Sequence, residues 1–326
     1  MLSVDAEVDR RDFTVRARLD VAPGERLALF GPSGAGKTTL LEVIAGLVAA
    51  RRGRVELGGR VRTSTAGQSV AVPPWRRKVG LLRQDPALFP HLTVRENLLY
   101  ARAAGAVAEL PGIAGALGID GLLGARPAGL SGGQAHRVAL GRLLLSHCDA
   151  LLLDEPYSGL DAGLRRTLTD LVVALAAQRA VPSVLVAHEL GDAQAFATRM
   201  VVLDGGTVRQ EGAPHEIVRR PVSRRVAELV GYTAFVPAAG GGQVAGVHPD
   251  RVVVGRHPDR GPVLTGQVTR CRPAGALWEV TVSVGGAAVV ARLADAAGTG
   301  QEIVLTAVDP PWFGPDGAAA GGPGPA

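Results

Sequence analysis

Nine consecutive residues, Gly31, Pro32, Ser33, Gly34, Ala35, Gly36, Lys37, Thr38 and Thr39, match the pattern G-x-x-x-x-G-K-[ST]. Glycines let backbone N–H groups fold around phosphate oxygens, and a helix opening here adds the positive end of its dipole. Lys37 supplies a point charge for β- and γ-phosphates, and the Thr38 hydroxyl suits a Mg2+ ion. Alone, the pattern specifies a nucleoside triphosphate and nothing about its fate. A second group, Asp154-Glu155, ends the apolar run 150–153. A buried strand would deliver Asp154 to the metal without loop flexibility. Glu155 beside it is placed to polarise an attacking water as general base. The pair followed by Pro156 also suits an ordinary helix N-terminus, so its chemistry depends on the company it keeps. A third group, Ser131-Gly132-Gly133-Gln134, lies 23 residues before Asp154. Ser131 can cap a helix there and leave a second set of N–H groups facing an anion. His188 follows Glu155 by 33 residues, after one helix and one strand, which returns it to the same sheet edge.

Hydrophobic patterning supplies the elements that must hold these groups. Residues 26–30 are a short apolar run before the glycine-rich turn, and 38–47 carry apolar side chains at helical spacing. Residues 150–154 and 183–187 are apolar strands joined by a helix over 164–179. Residues 13–21 alternate as a strand, 53–72 read as strands broken by Gly-Gly, and 92–130 read as helical segments punctuated by Gly and Pro. Residues 201–203 and 207–210 form a hairpin turning at Gly205-Gly206. Buried strands alternating with helices predict an α/β fold with a mainly parallel sheet, which with the G-x-x-x-x-G-K-[ST] turn resembles a P-loop NTPase core with a helical subdomain. The composition changes after Tyr232, and 238–246 reads as a flexible linker. Five short strands beyond it (251–254, 266–269, 277–284, 287–293, 302–308) predict a small, OB-like C-terminal β-barrel. The expected division is 1–235, 236–313, and a disordered tail over 314–326 with nothing to bury.

Composition excludes several other classes. Of 326 residues 47% are apolar, yet no run approaches the ~18–20 uncharged apolar residues that span a bilayer. The N-terminus has no apolar signal core, so the expectation is a chain that is neither exported nor self-anchored. Cys148 and Cys271 are too few and too separate for a disulfide framework or a metal site, which points to a reducing cytoplasm. Net charge is +5, but the basic residues are scattered arginines with Lys only at 37 and 78. No nucleic-acid partner is expected from that distribution.

The order GPSGAGKTT, Gln84 in LLRQDPALFP, LSGGQ, LLLDEP, SGLD (158–161) and His188 in VLVAHEL resembles the ATPase subunit of ABC transporters over roughly residues 1–235. In that family two subunits dimerise head to tail, each phosphate loop facing the other's LSGGQ. The resemblance implies ATP with Mg2+, Lys37 and Thr38 at the phosphates, and Asp154, Thr38 and Gln84 around the metal. It implies Glu155 as base, with His188 at the γ-phosphate and Gln84 relaying to a membrane partner. Ser131 and Gly133 would contact the γ-phosphate in trans, with Gly132 and Gln134 completing the signature, and Asp161 would link the two sites. One departure is the aromatic residue that stacks on adenine in many relatives: residues 5–12 contain none, and Phe13 sits in an alternating run that suggests core. Tyr157 and His136 also stand where other side chains are more usual. The stretches 73–80 and 84–94 resemble importers with a C-terminal β-domain, which take up oxyanions, ferric iron, sugars or polyamines. The β-rich tail resembles their regulatory TOBE or Mop-like domain. A clipped N-terminal region, a short helical segment before LSGGQ and one β-domain favour the molybdate branch, with sulfate close behind. The resemblance implies permease subunits, an extracytoplasmic substrate-binding protein acting indirectly, and a peripheral place on the cytoplasmic membrane face. A soluble non-transport ABC ATPase is disfavoured: the interval from Lys37 to Ser131 has no heptads for a coiled-coil insertion, and there is one P-loop.

Overall fold

The computed structural model describes residues 1–10, 13–67, 69–101, 105–238 and 242–321, which fall into two compact units divided at Pro214/His215. In the first unit, β1 (Leu2–Asp9) and β2 (Thr14–Val21) alternate buried and open side chains and pair antiparallel. β3 (Arg26–Phe30) has four buried residues of five and runs straight into the glycine loop and α1 (Lys37–Ala45). β4 (Arg52–Leu57), β5 (Arg60–Ser64) and β6 (Val70–Ala71) extend the sheet antiparallel from β1. β7 (Val79–Leu82) precedes a helical segment with α2 (Val94–Leu98), α3 (Ala106–Ala116) and α4 (Gly132–Leu144). The chain then returns to the sheet through β8 (Ala150–Asp154), α5 (Ala162–Gln178), β9 (Ser183–Ala187), α6 (Leu190–Phe196), β10 (Arg199–Asp204) and β11 (Thr207–Gly212).

The strand order is β6-β5-β4-β1-β2-β11-β10-β3-β9-β8-β7. The five strands β10-β3-β9-β8-β7 are mutually parallel, while the wing β6-β5-β4-β1-β2 is antiparallel, so the sheet as a whole is mixed. Every residue of β8 and β9 is buried, as a strand covered on both faces requires. Leu40, Leu41 and Ile44 of α1 pack on Leu152, Val184 and Leu203 in this core. Among the described residues, no helix is long and apolar enough to cross a membrane.

The second unit differs from expectation at several points. After α7 (Pro214–Arg219) and α8 (Arg224–Leu229) come β12 (Ala234–Pro237) and β13 (Val244–Val247), an antiparallel hairpin closed by the Ala238 N–H donating to the Gln243 carbonyl. The segment 238–246 is therefore a hairpin connection and strand rather than a linker; residues 239–241 lie outside the described ones. The boundary at 235 moves upstream because Tyr232 donates to the Val218 carbonyl at 2.8 Å and the Arg224 guanidinium lies 4.4 Å from the Phe235 ring centre. Next come β14 (Val252–Val254), β15 (Val263–Ala274), β16 (Leu277–Val284), β17 (Ala287–Leu293), β18 (Glu302–Ala307), β19 (Trp312–Phe313) and β20 (Ala319–Ala320). They make two antiparallel sheets, β12-β13-β19-β20 and β14-β18-β15-β16-β17, consistent with the small β-domain expected. Both contribute to the β-unit: Val236 and Val247 of the first sheet share a core with Val268, Val280 and Leu305 of the second. The tail is ordered as far as 321: Phe313 is fully buried, and β20 pairs with β19 around the turn at Gly317. Residues 322–326 lie outside the described ones.

Truncation tests this division. A chain ending at residue 239 would leave β12 an unpaired edge and is expected to aggregate, whereas one ending at 214 keeps all eleven strands of the large sheet. The second should melt cooperatively by circular dichroism and elute as a discrete species.

Candidate active site

The glycine loop leaves β3 where the backbone is crowded. A Cβ on Gly31 would lie 2.0 Å from the Leu203 carbonyl oxygen, and one on Gly36 would lie 2.5 Å from Val15 Cγ2 with φ at +102°. Both positions exclude side chains on steric grounds, and the loop between them, with Ser33 and Gly34, faces outward. Lys37 is the first residue of α1 and is 6% exposed; its Nζ donates to the carbonyls of Gly31 (2.7 Å) and Pro32 (2.9 Å). Burial lowers its pKa from the ordinary lysine value, opposed by the nearby Glu155 and Asp154 carboxylates.

Strand order brings the acidic groups to the same place. β9 lies between β3 and β8, all parallel, with Phe30 beside Ala187 and Asp154 beside Val186. Gly31, Glu155 and His188 therefore leave adjacent strands at one carboxyl edge, the usual position of a ligand crevice in such sheets. Asp154 is 3% exposed and accepts a hydrogen bond from the Thr38 hydroxyl at 3.1 Å. Burial raises its pKa, with Glu155 and Glu42 adding to the rise and the Thr38 bond and Lys37 opposing it. Glu155 adopts φ +51°, uncommon for a residue with a side chain, and its Oε1 lies 2.7 Å from His188 Nε2. Gln84, two residues past β7, reaches the same space. Together Ser33 to Thr39, Gln84, Glu155 and His188, joined by Arg10 and Phe13, line one open cavity of about 430 Å3.

Comparison with known proteins decides the family. Residues 15–158 match the family model described as ABC transporter. The Fe(3+) ions import ATP-binding protein FbpC of Mesorhizobium japonicum is 39% identical over 246 residues, covering 74% of this chain and 68% of the relative. This chain belongs to the ATP-binding subunits of ABC transporters. The molybdenum import ATP-binding protein ModC of the same organism is 40% identical over 225 residues, covering 67% of this chain and 60% of its own length. Among solved structures, a dimeric ATP-binding cassette in a post-hydrolysis state with ADP and Pi aligns at TM-score 0.55 and 25% identity, covering 66% of this chain and 99% of that one. The chain thus spans between three fifths and about two thirds of the curated relatives it matches.

As a member of this family the chain is an ATPase that uses ATP with Mg2+. The donors present fit that ion: a buried carboxylate, a hydroxyl bonded to it and an amide at the rim are hard oxygen ligands, and the remaining positions are left to water and phosphate. Among the described residues no group of three or more His, Cys, Asp or Glu is placed to hold a metal ion. Thr38, Asp154 and Gln84 are the residues that would hold it, and it would supply charge neutralisation at the β- and γ-phosphates.

The raised pKa of Asp154 gives a stability prediction. A carboxyl whose folded pKa lies above its unfolded value favours the fold fully only below the unfolded pKa, and loses that contribution as pH rises through the folded pKa. At neutral pH ionised Asp154 is therefore a cost. Asp154→Asn, which can still accept from Thr38, should raise the melting temperature of the nucleotide-free chain by ~2–4 °C while abolishing Mg2+-dependent turnover. Differential scanning calorimetry at pH 7.5 checks it, and a lower melting temperature would refute the burial argument.

The cassette's other motifs stand apart from this cavity within the single chain. Ser131 caps α4 reciprocally with Gln134: its hydroxyl accepts from Gln134 N–H (3.2 Å) and Gln134 Oε1 accepts from Ser131 N–H (2.8 Å). Gly132 and Gly133 have open space where a Cβ would be. Asp161 caps α5, accepting from Leu164 N–H at 3.0 Å. None of these four signature residues, nor Asp161, lines the cavity. His136, in the second turn of α4, is 7% exposed and hydrogen-bonded to the Pro156 backbone, so it ties the signature helix to the turn after Glu155; burial lowers its pKa.

Four side chains contribute beyond the site residues expected from the sequence. Arg10 lines the cavity, yet a search of 5–12 for an aromatic ring passed over it. Phe13 precedes β2, packing on the core and facing the cavity at once. Asn97, fully buried, clamps the segment after Gln84: its amide donates to the carbonyls of Phe89 and Thr93, and its oxygen accepts from Phe89 N–H. Arg142, in the last turn of α4, does the same, donating to the Pro86 and Ala87 carbonyls. The available signal was an Asn at a position sharing the inner face of α2 with Val94 and Leu98.

Proposed function

We propose that this chain is the ATP-hydrolysing subunit of an ABC importer that takes up an oxyanion, molybdate in the first instance. The observation that carries hydrolysis is the Glu155–His188 pair at 2.7 Å, facing the phosphate loop inside one cavity. Glu155 deprotonates the attacking water, His188 holds that carboxylate and reaches the γ-phosphate, and Lys37 carries phosphate charge. Thr38, Asp154 and Gln84 serve the ion. Ser131, Gly132, Gly133 and Gln134 act on the nucleotide of a second copy, a reading supported by their position outside the cavity of their own chain, and Asp161 lies between the two sites. That head-to-tail pair is supported by the dimeric state named for the solved relative.

The segment after Gln84 and the groove beside it, lined by Val79, Pro86, Phe89, Tyr100 and Arg142, form the face offered to permease subunits. Phe89 stacks on Tyr100 at 4.1 Å, and the Arg142 guanidinium lies 5.2 Å from the Phe89 ring centre, so movement of Gln84 is transmitted through packed side chains. The chain then works peripherally at the cytoplasmic face, coupled through the permease to a substrate-binding protein outside. The β-unit is read as a TOBE- or Mop-like regulatory domain. Molybdate rests on the short helical segment before LSGGQ, the single β-unit and the similarity to a molybdenum importer subunit. An iron importer subunit is equally similar, so ferric iron is the second reading, followed by sulfate, sugar and polyamine importers. Uptake of molybdate, sulfate and ferric iron in a strain lacking this chain, with and without complementation, separates them. Loss of molybdate uptake alone supports the first reading, and loss of iron uptake with molybdate intact overturns it.

A further inference from the structure

β8 and β9 lie side by side, and each ends in a turn that carries one member of the Glu155–His188 pair. Glu155 opens the turn that leads through Asp161 into α5, and His188 stands one residue before Glu189, where α6 begins. Arg165 joins the two turns. In the first turn of α5, its backbone N–H donates to the Asp161 carbonyl at 2.9 Å. Its guanidinium Nη1 donates to Glu189 Oε2 at 2.5 Å and to Asp192 Oδ1, in the first turn of α6, at 3.4 Å. Glu189 makes no capping hydrogen bond to its own helix, so its carboxylate goes to α5 instead. Burial raises the Asp192 pKa, and the Arg165 guanidinium opposes the rise. Beside the guanidinium the two helices leave an open cavity of about 400 Å3, walled by Ala162, Thr169, Gly191 and Ala195 as well. The side chain therefore spans an opening that apolar packing does not fill.

We propose that Arg165 is a positioning residue for hydrolysis: by holding Glu189 to the first turn of α5 it fixes the backbone of His188, and so the distance from His188 to Glu155. The proposal rests on the reading of Glu155 and His188 as the hydrolytic pair. The His188 side chain is 47% exposed, so close packing alone does not hold the imidazole. Its direction is set by the backbone on either side, buried β9 before it and Glu189 after it, anchored through Arg165. A guanidinium suits this task because its planar, permanently charged fork can serve two carboxylates from one side of α5. Exposed ion pairs add little to stability, and Glu189 is 63% exposed, so losing the contact should leave the fold nearly intact. Rate is the more sensitive quantity, since misplacing a reacting group by about 1 Å can cost ~100-fold. Arg165 lies outside the lining of the nucleotide cavity, so ATP affinity should not depend on it.

The test is steady-state ATP hydrolysis by the full chain, with the Kd of a non-hydrolysable ATP analogue measured alongside. Arg165→Ala should lower kcat about tenfold and change KM and Kd by less than about twofold. Glu189→Ala should do the same, because it cuts the same link, removes no helix cap and leaves Asp192 its guanidinium. That variant decides the matter if Arg165→Ala does not fold. Combining the two should be no slower than either alone. A cycle with His188→Ala then shows whether the effect passes through His188: in that background Arg165→Ala or Glu189→Ala should cost nothing further. A full loss on top of His188→Ala overturns the proposal, as does a wild-type kcat in Glu189→Ala, or a rise in KM and Kd that matches the fall in turnover. Wild-type turnover in His188→Ala itself refutes the hydrolytic role of His188, and the positioning role with it. A slow His188→Ala on which the other losses add in full refutes the positioning role alone.

Discussion

A chain carrying Glu155→Gln is expected to bind ATP as wild type does and to turn it over about 10²–10⁴-fold more slowly. The amide is nearly the shape of the carboxylate, and its oxygen can still accept from His188 Nε2, so the 2.7 Å contact and the cavity wall survive. Basicity is what is lost, since a neutral amide cannot take a proton from water. With hydrolysis blocked and binding intact, ATP should hold two copies together, and a dimer should accumulate on size exclusion in ATP and Mg2+ but not in ADP. Turnover near the wild-type rate would remove Glu155 from the role of base. The unusual backbone at this residue, φ +51°, adds a constraint: the side chain is aimed by a strained turn, so a flexible substitute nearby would misplace it.

The second large effect is expected at Lys37. Two charge-assisted contacts to phosphate, at roughly 1.5 kcal/mol each, correspond to about a hundredfold in affinity, and Lys37→Ala should lose at least that much by isothermal titration calorimetry. The same Nζ donates to the Gly31 and Pro32 carbonyls, so the loop loses two hydrogen bonds. Against that, the variant also removes an amine whose burial depresses its pKa, which is a cost to the fold. The melting temperature should consequently move far less than the affinity. ATP binding at wild-type strength would contradict the phosphate-loop assignment.

How much of this was legible beforehand varies with the range of the interaction. The glycine loop, the capping serine of α4 and the apolar strands ending in Asp154 and Ala187 are local: each follows from backbone sterics, orphan N–H groups or burial within a few residues, and each was readable in the chain. The hairpin at 238–246 and the ordered tail to residue 321 were missed for a common reason. Gly and Ala there carry no pattern of their own, and what holds the flanking strands lies far along the chain: β13 pairs with β19, and the Ala319 N–H donates to the Val222 carbonyl. Arg10 was missed because its chemistry depends on Thr39 and Glu42, 29 and 32 residues away.

The amino-acid sequence by itself determined the chemistry: which groups carry phosphate charge, which can hold an ion, which can act as base, and in what order they occur. Tertiary structure alone decided who meets whom. Inserting β9 between β3 and β8 sets His188 against Glu155 and both against Lys37, residues separated by up to about 150 positions. The same packing places Ser131 and Asp161 away from their own chain's cavity and Arg10 on its wall. The physical reason is that residue type sets what a group can do, whereas the order of strands, chosen by burial of two apolar faces and known only from the folded whole, sets the distances over which it acts.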